Sequence, residues 1–162
     1  MEIKAPNKYV CKGGQTSVFL GGTIDMGNSE NWQEKITKKL ENDFGDTVLI
    51  LNPRRDDWDS SWEQSIENKQ FNEQVTWELE AQEKADILVY YFASESKSPI
   101  TLLELGLFIE KEPIVYCPKD FYRKGNVDIV CERYDIQVHE NEKDLIDDLI
   151  EIIENTEVDL DD

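Results

Sequence analysis

Short apolar runs alternate along this chain with stretches whose apolar positions recur every three or four residues. Ser17-Val-Phe-Leu-Gly21, Thr47-Val-Leu-Ile-Leu51, Asp86 to Phe92 and Ile114-Val-Tyr-Cys117 read as strands covered on both faces, with a short fifth near Ile136 to Val138. Asn31 to Asn42 carries Trp32, Ile36 and Leu40 at a spacing of four, which predicts an amphipathic helix. A second helix is expected over Asn72 to Lys84. A last one is expected from Glu142 to Glu154, with Leu145, Ile146, Leu149, Ile150 and Ile153 inward. Continuous strands separated by helices predict an α/β fold, a doubly wound, flavodoxin-like three-layer sandwich on a five-stranded parallel sheet. The pattern places one domain over residues 17–154, between an N-terminal extension (1–16) and an acidic tail (155–162). Such sheets bind ligands beyond the carboxyl ends of their strands. Three loops therefore carry weight: Gly21 to Asn28, Asn52 to Asn68, and Ala93 to Ser98.

One carboxylate breaks the pattern. Ser98-Pro-Ile-Thr-Leu-Leu-Glu-Leu-Gly-Leu-Phe-Ile109 opens with an expected N-cap serine and a first-turn proline. Its apolar residues run nearly all the way round, which predicts burial against the sheet. A glutamate there, Glu104, is disfavoured unless it is paired, hydrogen-bonded or lining a cavity. It is either a helix-surface charge in a partly exposed stripe or an active-site carboxylate. Gly106, two residues on, suggests a close approach of backbone or ligand.

With 162 residues the chain can bury a substantial core. Lysine and arginine total 17 against 36 acidic residues, a net charge of −19, which argues against sequence-independent binding to nucleic acid or to an anionic membrane. Many of the acids sit on helix faces and in the tail, including Glu154, Glu157, Asp159, Asp161 and Asp162. Cys11, Cys117 and Cys131 form no C-x-x-C pair, and with the single His139 they make neither a metal set nor a disulfide framework. No signal core or spanning run is seen, so a soluble, cytoplasmic protein is expected. His139 lies on a predicted outer strand without a local partner pattern, which disfavours a Ser-His or Cys-His nucleophile.

Other constellations lie at the same sheet edge. Gly21-Gly22-Thr23 is either a plain tight turn or a place where backbone approaches a ligand, and it matches neither a dinucleotide fingerprint nor a P-loop. Asn52-Pro-Arg-Arg-Asp-Asp-Trp58 offers Arg55 and Asp57 either as surface ion pairs or as a grip on a phosphate, a sugar hydroxyl or a base. Trp58 and Trp62 either stack on a base or close the loop. Glu78, eight residues before Asp86, is either a solvated helix charge or turned toward the site. Asp86 itself reads as a capping or loop residue. Tyr122-Arg-Lys-Gly-Asn-Val-Asp128 resembles a turn that starts a helix, with Asn126 and Asp128 as substrate contacts or N-caps.

Together the Gly-Gly turn, Asn52 to Trp58, Gln74-Val-Thr-Trp-Glu-Leu79, Ser98 to Gly106 with its Glu-Leu-Gly, and Tyr122 to Asp128 resemble the nucleoside 2-deoxyribosyltransferase superfamily, in its deoxyribosyltransferase-like branch. The resemblance spans most of residues 17–150. It implies that Glu104 is the nucleophile and that Glu78 stands where the family often has an aspartate handling the leaving base. Ser98 then lies near the sugar or its phosphate, where well-studied members carry an aspartate, so a free 5′ hydroxyl and a 5′ phosphate both stay open. Asn126 and Asp128 correspond to a segment that meets substrate across a subunit interface, which implies a homo-oligomer.

The implied reaction moves a 2′-deoxyribosyl group, of a nucleoside or its monophosphate, from one base to a free base through a covalent glycosyl-Glu104 intermediate. A carboxylate beside C1′ suits the oxocarbenium character of that bond cleavage, and no metal or cofactor is needed. Alternatives with the same pocket are an N-glycoside hydrolase, on NAD-type glycosides also, and a catalytically silent nucleotide-binding or interaction module.

Overall fold

The computed structural model describes residues 1–24 and 30–160. The predicted loop residues 25–28 and the tail residues Asp161 and Asp162 lie outside the described residues. The elements in chain order are β1 (Glu2–Lys4), β2 (Thr16–Gly22), α1 (Trp32–Phe44), β3 (Val48–Asn52), α2 (Lys69–Lys84) and β4 (Ile87–Tyr91), then α3 (Pro99–Leu107), β5 (Ile114–Tyr116), α4 (Lys124–Arg133), β6 (Val138–His139) and α5 (Glu142–Leu160). All six strands are parallel, in the order β1-β3-β2-β4-β5-β6.

The sheet thus has six strands rather than the five expected. The additional strand is Glu2–Lys4, too short to show a hydrophobic pattern, and it pairs with β3 from residues predicted to be an extension. Without it, the remaining order is the doubly wound one expected, with the chain reversing direction around β2. At the other end α5 continues to Leu160, through most of the stretch predicted to be a tail.

Period two along the strands sorts the core into two halves. Val18, Leu20, Val48, Ile50, Val89 and Tyr91 face α1 and α5, where they meet Trp32, Ile36, Leu40, Leu145, Leu149 and Ile153. Phe19, Leu49, Leu51, Leu88 and Tyr90 face the other way, toward Ala81, Leu105, Val127 and Cys131 of α2, α3 and α4. Tyr91 lies flat on Trp32, with centroids 4.5 Å apart, whereas Tyr90 is delivered to the side where α2 and α3 meet.

Two polar joints hold the elements that carry the site. Asp86, at the entry to β4, accepts from the backbone N–H (2.7 Å) and hydroxyl (2.6 Å) of Ser17, which sets β4 beside β2. Lys111, just beyond α3, donates from one ammonium to the carbonyls of Gln82 (2.7 Å), Glu83 (2.9 Å) and Ala85 (2.8 Å). Those carbonyls belong to the end of α2, where a helix has no partners of its own and its dipole favours a cation. Lys111 therefore locks the end of α2 to the segment leaving α3. Replacing Lys111 with methionine keeps the stem and removes three charge-assisted hydrogen bonds. It is expected to cost about 1–3 kcal/mol in urea unfolding, whereas Lys84→Met, whose exposed ion pair with Glu80 spans 3.4 Å, is expected to cost little.

Candidate active site

Burial decides the chemistry of Glu104. It is 8% exposed although it carries a carboxyl, and desolvation lifts that carboxyl to about 7, partly offset by a hydrogen bond from the Gln82 amide. Glu78 comes from α2, partly buried. Burial first, and then the charge of Glu104, push it up to about 8, with a hydrogen bond from Gln74 acting the other way. The structure therefore brings together the two glutamates singled out from the sequence.

Glutamines one turn either side of Glu78 complete the cluster. Gln74 donates to Glu78 Oε1 (2.6 Å) and to the carbonyl of Pro53 (2.8 Å), tying the loop after β3 to α2. Gln82, fully buried, donates to the Glu78 carbonyl (3.1 Å) and accepts from the Tyr90 hydroxyl (2.6 Å). That hydroxyl also lies 3.4 Å from the Glu104 carbonyl. Sequence reading missed Gln82 and Tyr90. The available signal was glutamine at i−4 and i+4 around a candidate acid, on a helix with little other polarity on that face.

The remaining candidates sort differently. A Cβ on Gly21 would lie 2.9 Å from the rings of Phe19 and Tyr90, and one on Gly22, at φ +150°, would lie 2.3 Å from the Tyr91 carbonyl. Within this chain the Gly-Gly pair makes room for β4. Ser98 does start α3, but in a left-handed conformation (φ 42°) and without the expected side-chain cap. Its hydroxyl is instead 2.6 Å from that of Thr23 and 3.0 Å from that of Ser96, while Thr23 also accepts from the Ala93 N–H (3.0 Å). These bonds join the ends of β2 and β4 to the start of α3, which offsets a backbone cost of about 1 kcal/mol.

Arg55 and Asp57 bind each other (2.6 Å), and the Arg55 guanidinium sits 4.9 Å from the Trp62 ring centroid, with Trp62 edge-on to Trp58. This loop packs on itself and on the start of α2, where Arg55 pairs with Glu73 (3.7 Å) and Trp58 meets Phe71. Asn126 and Asp128 lie inside α4, which is capped at Arg123, so neither is an N-cap. Asp128 pairs with Lys124, and Asn126 lines a shallow groove with Leu102, Leu105, Gly106 and Arg123. No hydrogen bond joins either one to the glutamate pair among the described residues.

Three further expectations change. α3 is not buried all round: Ile100, Leu103 and Leu107 are 58%, 67% and 60% exposed. A Cβ on Gly106 would meet nothing within 4 Å, so no close approach within the chain explains it. His139 has a partner after all, since its Nε2 lies 2.7 Å from Asp148 of α5. No hydroxyl or thiol bonds to that pair among the described residues. The nearby Cys117 is a buried free cysteine whose thiol is pushed up to about 12 by desolvation.

Because both glutamates titrate above their ordinary 4.5, the unfolded chain loses their protons first as pH rises. Their contribution to stability is therefore whole below about 4.5 and lost as pH climbs through about 7 and about 8. Glu104→Gln is expected to match the parent in urea unfolding near pH ~5 and to exceed it by about 1–3 kcal/mol near pH ~8.

No curated protein matches the chain. A family model described as nucleoside 2-deoxyribosyltransferase like matches residues 15–121, from β2 to just beyond β5. The match takes in the Gly-Gly turn, the self-packed loop, Glu78, Ser98 and Glu104, and it ends before Asn126 and Asp128. Extending over most of the chain and across the whole carboxyl-end cluster, it shows that this protein belongs to the nucleoside 2-deoxyribosyltransferase-like family.

Proposed function

We propose that the protein transfers a 2′-deoxyribosyl group between bases, with Glu104 as nucleophile and Glu78 as the acid that protonates the departing base. The observation that carries this reading is the pair itself: a buried carboxyl from α3 and a partly buried one from α2, each held above the usual carboxylate range, with that of Glu78 the higher. The lower member is the first to ionise and supplies the attacking oxygen. The higher one keeps its proton for the leaving group.

In the first half-reaction the C1′–N bond breaks and its electron pair goes to the base, which takes the Glu78 proton. A Glu104 oxygen forms the new bond to C1′. In the second, a ring nitrogen of the incoming base attacks C1′, the electron pair of the C1′–O bond returns to Glu104, and Glu78 recovers a proton from that base. Two inversions give net retention. Water in place of the second base would give hydrolysis by the same groups.

The polar cluster at the start of α3, built from Thr23, Ser96 and Ser98, supports a role for this corner in holding the sugar. The exposed apolar face of α3, with Val130 of α4 in the adjoining groove, supports a subunit contact that would bring Asn126 and Asp128 to a neighbour's site.

Chromatography of the purified protein with a panel of 2′-deoxynucleosides and their monophosphates, with and without a free base, tests the reaction. Base exchange is expected, and Glu104→Ala should abolish it. Release of free base and sugar alone would assign a hydrolase, and no turnover on the panel would remove the proposal. The dependence of kcat/KM on pH should be a narrow bell, rising as Glu104 ionises near 7 and falling as Glu78 loses its proton near 8. Glu78→Gln should flatten the alkaline limb and slow the reaction about 10²–10⁴-fold. Light scattering should give a multiple of the 18.9 kDa chain, and Leu103→Lys with Leu107→Lys should return it to a monomer.

A further inference from the structure

We propose that Arg54 and Gln33, where the loop after β3 meets the first turn of α1, form a binding site for a phosphate group, carried by a 5′-monophosphate substrate or present as the free ion. The link to the substrate rests on the base-transfer reading; the site itself does not.

Of the two neighbouring arginines, Arg55 is already engaged, by Asp57 (2.6 Å), by Glu73 (3.7 Å) and by the Trp62 ring. Arg54 is half-buried and forms no ion pair among the described residues. The acids of its loop and of the α1 first turn have other partners: Lys4 holds Asp56 (3.0 and 3.1 Å), Arg55 holds Asp57, and Lys38 holds Glu34 (2.6 Å). A guanidinium partly withdrawn from water without a counter-ion is unfavourable by itself. Desolvation pulls its pKa down, with the charge of Asp56 acting the other way. In a chain of net charge −19 this is no shortage of carboxylates.

Hydrogen-bond geometry decides which atoms face a ligand. Arg54 has donors and no acceptor, so its 3.3 Å contact with Gln33 fixes the carboxamide with Oε1 toward the guanidinium. The Gln33 nitrogen must then point elsewhere. Gln33 is fully buried, yet its Nε2 has no partner, and neither has the buried Nε of Arg54. Two orphaned donors and one uncompensated charge thus meet at a single contact. A neutral base carbonyl would satisfy the donors and not the charge, whereas a phosphate supplies both oxygens and charge. Gln33 is also the second residue of the 13-residue α1, at the end where the helix dipole favours an anion.

The position suits a substrate. Next to Arg54, the Pro53 carbonyl accepts from Gln74, which also donates to Glu78. Next to Gln33, the Trp32 ring N–H donates to the Thr23 carbonyl (2.9 Å), and the Thr23 hydroxyl meets that of Ser98. One step along the chain in each direction therefore connects the site to the proposed acid and to the corner proposed to hold the sugar.

Isothermal titration calorimetry at constant ionic strength tests the site, with a 2′-deoxynucleoside, its 5′-monophosphate and inorganic phosphate as probes. The parent should bind the monophosphate about 10-fold to 10²-fold more tightly than the nucleoside, and Arg54→Met should erase that margin with nucleoside affinity nearly unmoved. Gln33→Glu keeps the side-chain shape and gives Arg54 a carboxylate, so it should fold and also lose the margin, which decides the matter if Arg54→Met does not fold. Inorganic phosphate that competes with the monophosphate and not with the nucleoside assigns the site to the substrate's own phosphate. Phosphate that binds through Arg54 without competing assigns it to the free ion. Equal affinity for monophosphate and nucleoside, with no Arg54-dependent binding of phosphate, overturns the site. So does an equal loss of both ligands in Arg54→Met, which would turn Arg54 to the base or sugar. Monophosphate held through Arg54 without base exchange would end the transfer reading and keep the site.

Discussion

Two carboxyl groups that would each prefer water are drawn largely out of it on α2 and α3, where one feels the charge of the other. Much of the surrounding structure answers that constraint. Burial of an ionised carboxylate costs several kcal/mol unless hydrogen bonds or a shared proton offset it. Here the offset comes from amides instead of cations: Gln74 on Glu78, and Gln82 lowering Glu104. An arginine in their place would drive both groups to ionise, and a pair with two distinct protonation states would be lost. Neutral donors leave both carboxyls above the ordinary carboxylate range.

The scaffold places these groups by ordinary packing. Alternation along β4 turns Tyr90 to one face and Tyr91 to the other, so adjacent tyrosines serve unrelated purposes. One bonds to Gln82 of α2. The other stacks on Trp32 and donates to Glu142, 3.3 Å away. Lys111 couples α2 and α3 at the end of the pair remote from the loops, and the Thr23–Ser98 contact couples β2 to the start of α3. Glu104 thus sits on a short helix held at both ends, which favours geometric precision over mobility.

The apolar stripe of α3 has a second consequence. A short helix turns the Glu104 carboxyl inward and Ile100, Leu103 and Leu107 outward. That explains why its composition looks like a buried helix while one face of it is not. Beside it the net charge of −19 is spread over helix faces, which leaves this apolar face as a contrast in an otherwise repulsive surface.

By itself the sequence determined the layer order and the strand count but for one, and it marked both carboxylates as candidates. Hydrophobic period specifies which elements exist, and a charge inside an apolar helix is conspicuous in one dimension. It could not reveal β1, whose three residues have no period, or the packing of the Gly-Gly turn against β4 and the partner of His139, both of which depend on contacts between distant segments. The roles of Gln82 and Tyr90 were hidden for the same reason. A glutamine's orientation is set by whatever lies at each end of its amide, and only the tertiary structure put a phenol at one end and the Glu78 carbonyl at the other.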